Sequence, residues 1–127
     1  MAISVIPVEQ SFLDAIIARQ LSENAAHEKA CAERLQRARD EAKRLAALIG
    51  ELPDIKRVIL FGSAARGSPF TLASDIDLAI EGGDSYSAMA IAETSAFHVD
   101  VSDLSLLSPR MRERVEAEGW VLHEKKS

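Results

Sequence analysis

The 127-residue sequence has little cysteine, few aromatic residues and no excess of positive charge. Its single cysteine, Cys31, excludes an intramolecular disulfide and is too few for a cysteine-based zinc site. The formal net charge of -5 gives no general attraction to a nucleic-acid backbone, so we expect no direct binding of DNA or RNA. No apolar run approaches the ~20 residues that span a bilayer, and a signal-peptide pattern is absent. These absences predict a cytoplasmic protein that does not contact a membrane.

Glycine and proline are also missing between Pro7 and Gly50. Alanine, leucine, glutamate, arginine and lysine dominate this stretch, which predicts one long helix. At ~1.5 Å per residue the helix would extend about 63 Å, whereas a compact chain of this length has a diameter of roughly 35 Å. We therefore expect its first half to protrude. The alternative is a bend near residues 22–24, with both halves folded on the body.

The two halves of the predicted helix carry different apolar stripes. The later stripe has spacings of four and three, typical of a helix that packs along another helix, and comprises Cys31, Leu35, Ala38, Ala42, Leu45 and Ile49. The earlier stripe comprises Val8, Phe12, Leu13, Ile16, Ile17 and Leu21. If it protrudes, the earlier stripe is exposed in a monomer, which predicts a homodimer through the N-terminal helix or a docked partner protein. Interleaved glutamates indicate that the basic residues of the later half form a solvated face; these are Arg34, Arg37, Arg39, Lys43 and Arg44.

After Pro53 the sequence changes to short apolar runs separated by turns. Strands are predicted at residues 57–61, 75–80 and 97–101, with a final edge strand at residues 120–123. Helices are predicted at residues 64–66, 86–93 and, after the capping residue Ser108, 109–118. This order predicts an α+β fold, a small mixed β-sheet flanked by helices and preceded by a long N-terminal helix. The predicted domains are a helical extension, residues 1–52, and a compact domain, residues 53–127.

Three aspartates are predicted to share one face of the sheet. Side chains alternate along a strand, so Asp75 and Asp77 point the same way, with Cα atoms about 6 to 7 Å apart. The third strand repeats the pattern with His98 and Asp100, and Asp100 joins the pair if the two strands are neighbours. Clustered carboxylates repel one another and therefore take up protons or bind hard cations such as Mg²⁺. The alternative is that the aspartates lie on a solvent-exposed strand face and only increase its solubility. His98 is expected to be solvated or to form a cross-strand contact.

The Gly62-Ser63 pair follows the first strand and opens a predicted short helix. Glycine lets a backbone approach an anion closely, and free N–H groups and a serine hydroxyl donate to phosphate oxygens. The alternative is an ordinary turn with Ser63 as a helix cap. A P-loop is excluded because Ser68 stands where its lysine belongs, and no G-x-G-x-x-G occurs.

The combination of a Gly-Ser corner, an Asp-x-Asp strand that faces it and a third aspartate on a later strand is a more specific sequence signal than any one of these features. The segments "FGSAARG", "SDIDLAI", "HVDVSDL" and "EGWVLHE" resemble, in order, those of the polymerase-beta-like nucleotidyltransferases. They are most similar to the minimal nucleotidyltransferases (MNT), of the MntA type that acts as antitoxin in HEPN/MNT pairs. The resemblance covers about residues 55–124 and implies the polymerase-beta-like nucleotidyltransferase fold.

The resemblance also implies a reaction and its residues. A hydroxyl attacks the α-phosphate of ATP, pyrophosphate leaves, and two Mg²⁺ ions assist. The metal-binding and catalytic residues would be Asp75, Asp77 and Asp100, with Asp100 also helping to take the proton from the hydroxyl. The nucleotide-binding residues would be Gly62, Ser63 and Arg66, and Arg66 could instead brace the loop through a carboxylate.

The family further implies a partner, a HEPN toxin that the antitoxin restrains, in some cases by transferring AMP to a tyrosine. Two alternatives stay open: a nucleotidyltransferase for a small hydroxyl compound, as with antibiotic-modifying relatives, and a binding module that neutralises its partner by contact. This chain departs from the family in one respect. Eleven residues separate Ser63 from Asp75, where ten are usual, and the extra residue could change how the triphosphate sits.

Overall fold

The computed structural model describes residues 6–126, and the side chains of residues 10–126. Its first element is one continuous helix, α1 (Ile6–Gly50). The predicted long helix is therefore confirmed, and the alternative bend near residues 22–24 is not formed. Val8, predicted to be part of the earlier apolar stripe, lies outside the described side chains.

Four strands form a single mixed sheet in the order β3-β2-β1-β4. They are β1 (Arg57–Phe61), β2 (Ile76–Glu81), β3 (Val99–Asp103) and β4 (Trp120–Glu124). β2 and β3 are parallel, whereas β1 pairs antiparallel with both β2 and β4. The predicted mixed sheet and its edge strand β4 are confirmed, and β2 and β3 begin one and two residues later than predicted.

Short helices connect the strands. α2 (Ser63–Arg66) follows β1, α3 (Ser85–Ala92) makes the crossover between the parallel strands, and α4 (Pro109–Glu118) precedes β4, with a 3₁₀ turn at Leu104–Leu106. Two of the starts are capped by side chains that accept backbone N–H bonds. Asp84 accepts from Tyr86, and Ser108 accepts from Met111, as its position before Pro109 predicts.

The main core lies between one face of the sheet and the later half of α1. Ala38, Ala42, Leu45 and Ile49 are fully buried there, and α1 contacts β4, β1 and α3. The stripe therefore packs mainly on the sheet, and the helix neighbour that its spacing predicts is limited to α3. A spacing of four and three identifies the buried face of a helix, but it does not specify what covers that face.

α4 covers part of the opposite face of the sheet. Val115 packs there with Ile59 and Ala79, and Arg57 fixes the helix to the sheet. The Arg57 guanidinium donates to both carboxylate oxygens of Glu81 on β2 and of Glu116 on α4, with donor–acceptor distances of 2.5 to 3.0 Å. These paired bonds hold α4 across the strands.

The first half of α1 extends beyond the sheet. The side chains of residues 10–29 are exposed, among them the predicted stripe residues Phe12, Leu13, Ile16, Ile17 and Leu21, which are 46 to 67% exposed. We call this part of α1, residues 10–29, the arm. None of the helices between residues 6 and 126 has a stretch long and apolar enough to cross a membrane.

Candidate active site

Three strands bring the predicted site residues to one edge of the sheet. Phe61, the last residue of β1, lies opposite Asp77 of β2, and Asp77 lies opposite Asp100 of β3. Gly62 follows Phe61 directly, and Asp75 immediately precedes β2. The glycine corner and all three aspartates therefore lie along this edge, which we call the acidic edge.

The backbone of Gly62 lies close to the side chain of Asp77 at the acidic edge. Its φ of +73° and ψ of −151° define a conformation that is essentially restricted to glycine. A Cβ atom at this position would lie 2.5 Å from Oδ2 of Asp77. Both the backbone conformation and the space beside it thus require a glycine at position 62.

α2 begins at this corner, with Gly62 as the N-cap and Ser63 as its first residue. The alternative in which Ser63 caps the helix is therefore not what forms. Ser63 is half-buried, and α2 is kept short by Gly67, whose left-handed conformation ends the helix.

Two arginines of α1 bind the loop that joins β1 to β2. Arg39 donates from Nε to the carbonyl of Ala64 at 2.8 Å and from Nη2 to that of Ala65 at 3.2 Å. Arg34 donates to the carbonyl of Ser74 at 3.3 Å and lies 4.7 Å from the ring centroid of Phe97. For these two residues the predicted solvated face was wrong, because the sheet and its loop reach the side of α1 from residues distant in sequence.

Asp75, His98 and Asp100 form the exposed part of the acidic edge. Each offers a potential metal-binding atom within 4.8 Å of those of the other two. Nδ1 of His98 lies 3.2 Å from Oδ2 of Asp75, so the cross-strand contact predicted for His98 is confirmed. Asp77 does not belong to this group and lies further inside, against Gly62.

The carboxyl group of Asp77 has a raised pKa. Burial raises the pKa of its carboxyl group above the ordinary value, and the negative charges of Asp100 and Asp75 raise this pKa further. The positive charge of Arg66 and that of protonated His98 act in the opposite direction. A carboxylate that is destabilised in this way gains from a nearby cation.

A cavity of about 280 Å³ lies between Asp77 and α4. Phe61, Met111 and Val115 supply its apolar wall, and Gly62 and Asp77 lie on one side. Glu118 lies on the other side, with Oε2 3.8 Å from Arg66 and 3.9 Å from Arg114. Arg66 thus lines the cavity beside a carboxylate partner, and both roles considered for it, phosphate contact and bracing, agree with this position.

The longer loop between Ser63 and Asp75 folds back on the body. Phe70 is buried in the main core, and residues 71–74 form a turn in which the backbone N–H of Thr71 donates to Oγ of Ser74 at 2.9 Å. The Arg34 bond at Ser74 then fixes the chain just before Asp75. The loop is therefore fixed to the body at Phe70 and at Ser74, on either side of an exposed turn.

Sequence reasoning missed the residues that support the site from α1 and α4. Arg39 and Arg34 lie outside every recognisable motif, and a basic residue beside a buried stripe is common on solvated helices. Arg114 and Met111 lie on α4, whose position over the acidic edge depends on tertiary packing. One signal was available, since Arg39 directly follows the buried Ala38 in the helical pattern and so borders the core.

The fold is that of a nucleotidyltransferase domain. The family model described as "Polymerase beta, Nucleotidyltransferase" matches residues 43–127, and the chain belongs to this family. The predicted family resemblance and the predicted fold class are thereby confirmed. No curated protein sequence matches the chain significantly.

Two solved structures at 25% sequence identity share this fold. One is a toxin–antitoxin with AMP-PNP, with a TM-score of 0.53 over 66% of this chain and 73% of the other. The second is a mutant of the toxin–antitoxin MntA-HpeT in which a tyrosine is replaced by alanine, with a TM-score of 0.52 over 69% of this chain and 73% of the other. The chain is thus similar to proteins of MNT toxin–antitoxin pairs.

Proposed function

We propose that the protein transfers AMP from ATP to a hydroxyl group of a partner protein, a tyrosine of a HEPN toxin, and acts as the antitoxin of that pair. The observation that carries this proposal is the contact between the Gly62 corner and Asp77 at an edge shared with Asp75 and Asp100. The similarity to a toxin–antitoxin with AMP-PNP supports both the nucleotide and the partner class.

The donor set fits a hard divalent cation such as Mg²⁺. Carboxylate oxygens of Asp75 and Asp100 lie within 4.8 Å of each other, and burial beside them raises the pKa of Asp77. Hard oxygen donors are the ligands that Mg²⁺ prefers. The three aspartates would hold two Mg²⁺ ions, which neutralise charge on the attacking and leaving oxygens.

The residues of the chain have separate tasks in this reaction. The backbone at Gly62 and Ser63 binds the triphosphate, and Arg66 adds positive charge beside it. Asp100 accepts the proton from the attacking hydroxyl. The hydroxyl oxygen forms a bond to the α-phosphorus, the bond from that phosphorus to the bridging oxygen breaks, and pyrophosphate leaves. Positioning and charge stabilisation provide the rate enhancement.

The arm gives a partner protein a place to dock beside the site. α1 runs along the sheet from Gly50, next to His123, to Arg34, next to Ser74 at the acidic edge, so the arm projects past that edge. Leu13 and Ala38 are 25 positions apart, close to seven helical turns, which puts the exposed stripe on the same side of α1 as the sheet. A protein bound to the stripe would therefore stand in front of the acidic edge.

The test uses ATP labelled at the α-phosphate, Mg²⁺ and the small all-helical protein expected from the adjacent reading frame. We expect the label to reach a tyrosine of that protein, and we expect Asp75→Asn combined with Asp77→Asn to abolish the transfer. Asp103→Asn, at the other end of β3, is the matched control and should leave transfer unchanged. Equal transfer by the double variant would refute the assignment of the site.

The alternatives give different results in the same experiment. Label found only on an added small hydroxyl compound would favour a small-molecule nucleotidyltransferase. A partner that the double variant inhibits as well as the wild type would favour neutralisation by contact. Sedimentation of the chain alone measures whether it forms a homodimer, and a dimer that dissociates when the partner binds would show that self-association and partner binding compete.

A further inference from the structure

We propose that Arg39 is a positioning residue for nucleotidyl transfer, holding α2 so that the Gly62-Ser63 corner stays beside Asp77. The proposal rests on the function proposed above, because it concerns the same site. Arg39 lies on α1, 25 residues before Ala64, and belongs to none of the motifs that identify the family.

The guanidinium of Arg39 is held on two sides. Its two hydrogen bonds reach the carbonyls of Ala64 and Ala65, which a four-residue helix leaves without partners of its own. Its other contact is the ring of Trp120 on β4, whose centroid lies 4.3 Å from Cζ. The planar group thus connects α2 to α1 and to the sheet.

The backbone around α2 is shaped to admit this side chain. A Cβ atom at Gly67 would lie 2.9 Å from Nη2 of Arg39, so the turn that ends α2 passes close to the guanidinium. Ala64 and Ala65 are buried small residues that let α2 lie against the body. Arginine fits this place better than lysine, because only a planar fork donates to two carbonyls while it stacks on a ring.

α2 depends on tertiary contacts to hold its position. It spans only Ser63–Arg66, too short to be stable without tertiary contacts. Its first residue is the serine assigned to the triphosphate, and its N-cap is the glycine that contacts Asp77. A displacement of α2 therefore moves the phosphate-binding corner relative to the acidic edge.

The first experiment compares Arg39→Met and Arg39→Lys in labelled-AMP transfer by the complete chain. We expect Arg39→Met to raise the KM for ATP about tenfold with kcat at saturating ATP within about threefold of the wild type. Arg39→Lys should show an intermediate KM. Added guanidinium at low millimolar concentration should lower the KM of Arg39→Gly. A wild-type KM in Arg39→Met would overturn the proposal.

Two controls separate positioning from general stability. Ile49→Val removes one buried methylene group at the other end of α1 and should lower the thermal midpoint without changing the KM for ATP. Arg44→Met removes an exposed arginine of α1 whose hydrogen bonds go to Glu41 of the same helix. A rise of KM in Ile49→Val equal to that in Arg39→Met would show that stability alone explains the effect, and would overturn the proposal.

A second measurement needs no catalysis and separates this proposal from the proposed function. Hydrogen exchange of the free protein reports whether the amides of residues 65–67 are protected. We expect exchange there to be at least tenfold faster in Arg39→Met than in the wild type or in Ile49→Val. Unchanged exchange would refute the positioning role even if AMP transfer is real. Faster exchange in a protein that binds no ATP would refute the proposed AMP transfer and leave the structural role of Arg39 intact.

Discussion

Replacing Gly62 by alanine tests how closely the backbone must approach Asp77. The substitution forces a side chain into a conformation with φ of +73° and ψ of −151°, which costs on the order of 1–3 kcal/mol. The new methyl group would also lie 2.5 Å from Oδ2 of Asp77. An ordinary contact is roughly 1 Å longer, so either the carboxylate or the corner must move.

The expected loss of activity is larger than the loss of stability. A displacement of about 1 Å at reacting groups can reduce a rate on the order of 100-fold, whereas a domain of this kind is stable by about 5–15 kcal/mol and survives a loss of 1–3 kcal/mol. We therefore expect Gly62→Ala to stay folded, with a lower urea midpoint, and to transfer labelled AMP at least about 100-fold more slowly.

Gly83→Ala provides the matched control. Gly83 has a φ of +71° and lies just beyond β2, at the end of the sheet opposite the acidic edge. A methyl group there meets the side chain of Ile55 rather than a carboxylate. Gly83→Ala should therefore lose stability but keep its activity. If the two alanine variants retained similar activity, the contact between Gly62 and Asp77 would have no role in the reaction.

Two other expectations concern Asp77 and the arm. In metal-free buffer, ionisation of Asp77 disfavours the folded state because its folded pKa is raised, so the contribution of Asp77 to stability is lost as pH rises through that pKa. Near pH 3, below the ordinary pKa of Asp, Asp77→Asn should have the same urea midpoint as the wild type. At neutral pH its urea midpoint should be higher than that of the wild type, and a lower midpoint would contradict this reasoning. On the arm, Ile16→Glu with Ile17→Glu should weaken partner binding at least about tenfold by calorimetry without lowering the thermal midpoint of the body. Ala18→Glu, on the opposite face of α1, should bind normally, and equal weakening by both would exclude the stripe as the docking surface.

Local sequence signals determined the order of the elements and the face to which each residue belongs. Alternation along the strand predicted the face that carries Asp77, and the residues of the other face, Ile76, Leu78 and Ile80, are fully buried. The caps at Ser108 and Pro109 predicted the start of α4 to the residue. These signals are short-range, because the pleat of a strand and the cap of a helix depend on neighbouring residues.

Contacts between distant residues were not predictable in the same way. The stripe of α1 indicated a buried face but not whether a helix or a sheet would cover it. In the sequence Arg39 cannot be distinguished from the other basic residues of α1, because its partners, α2 and Trp120, are distant along the chain. The inner position of Asp77 relative to Asp75 also depends on Gly62, since the close approach of the corner buries one carboxylate of the pair and leaves the other half exposed. The boundary predicted after residue 52 stays a prediction.

α1 connects the arm to the site through two arginines that contact opposite ends of one loop. Arg39 binds the carbonyls of α2, directly after the Gly62 corner, and Arg34 binds the carbonyl of Ser74, directly before Asp75. At ~1.5 Å per residue, Leu21 on the arm lies only about 20 Å along the helix from Arg34. Both arginines lie in the part of α1 that packs on the sheet, and the arm continues from them as the same helix. A partner that binds the arm is therefore held close to the Gly62 corner and to Asp75, the two ends of that loop.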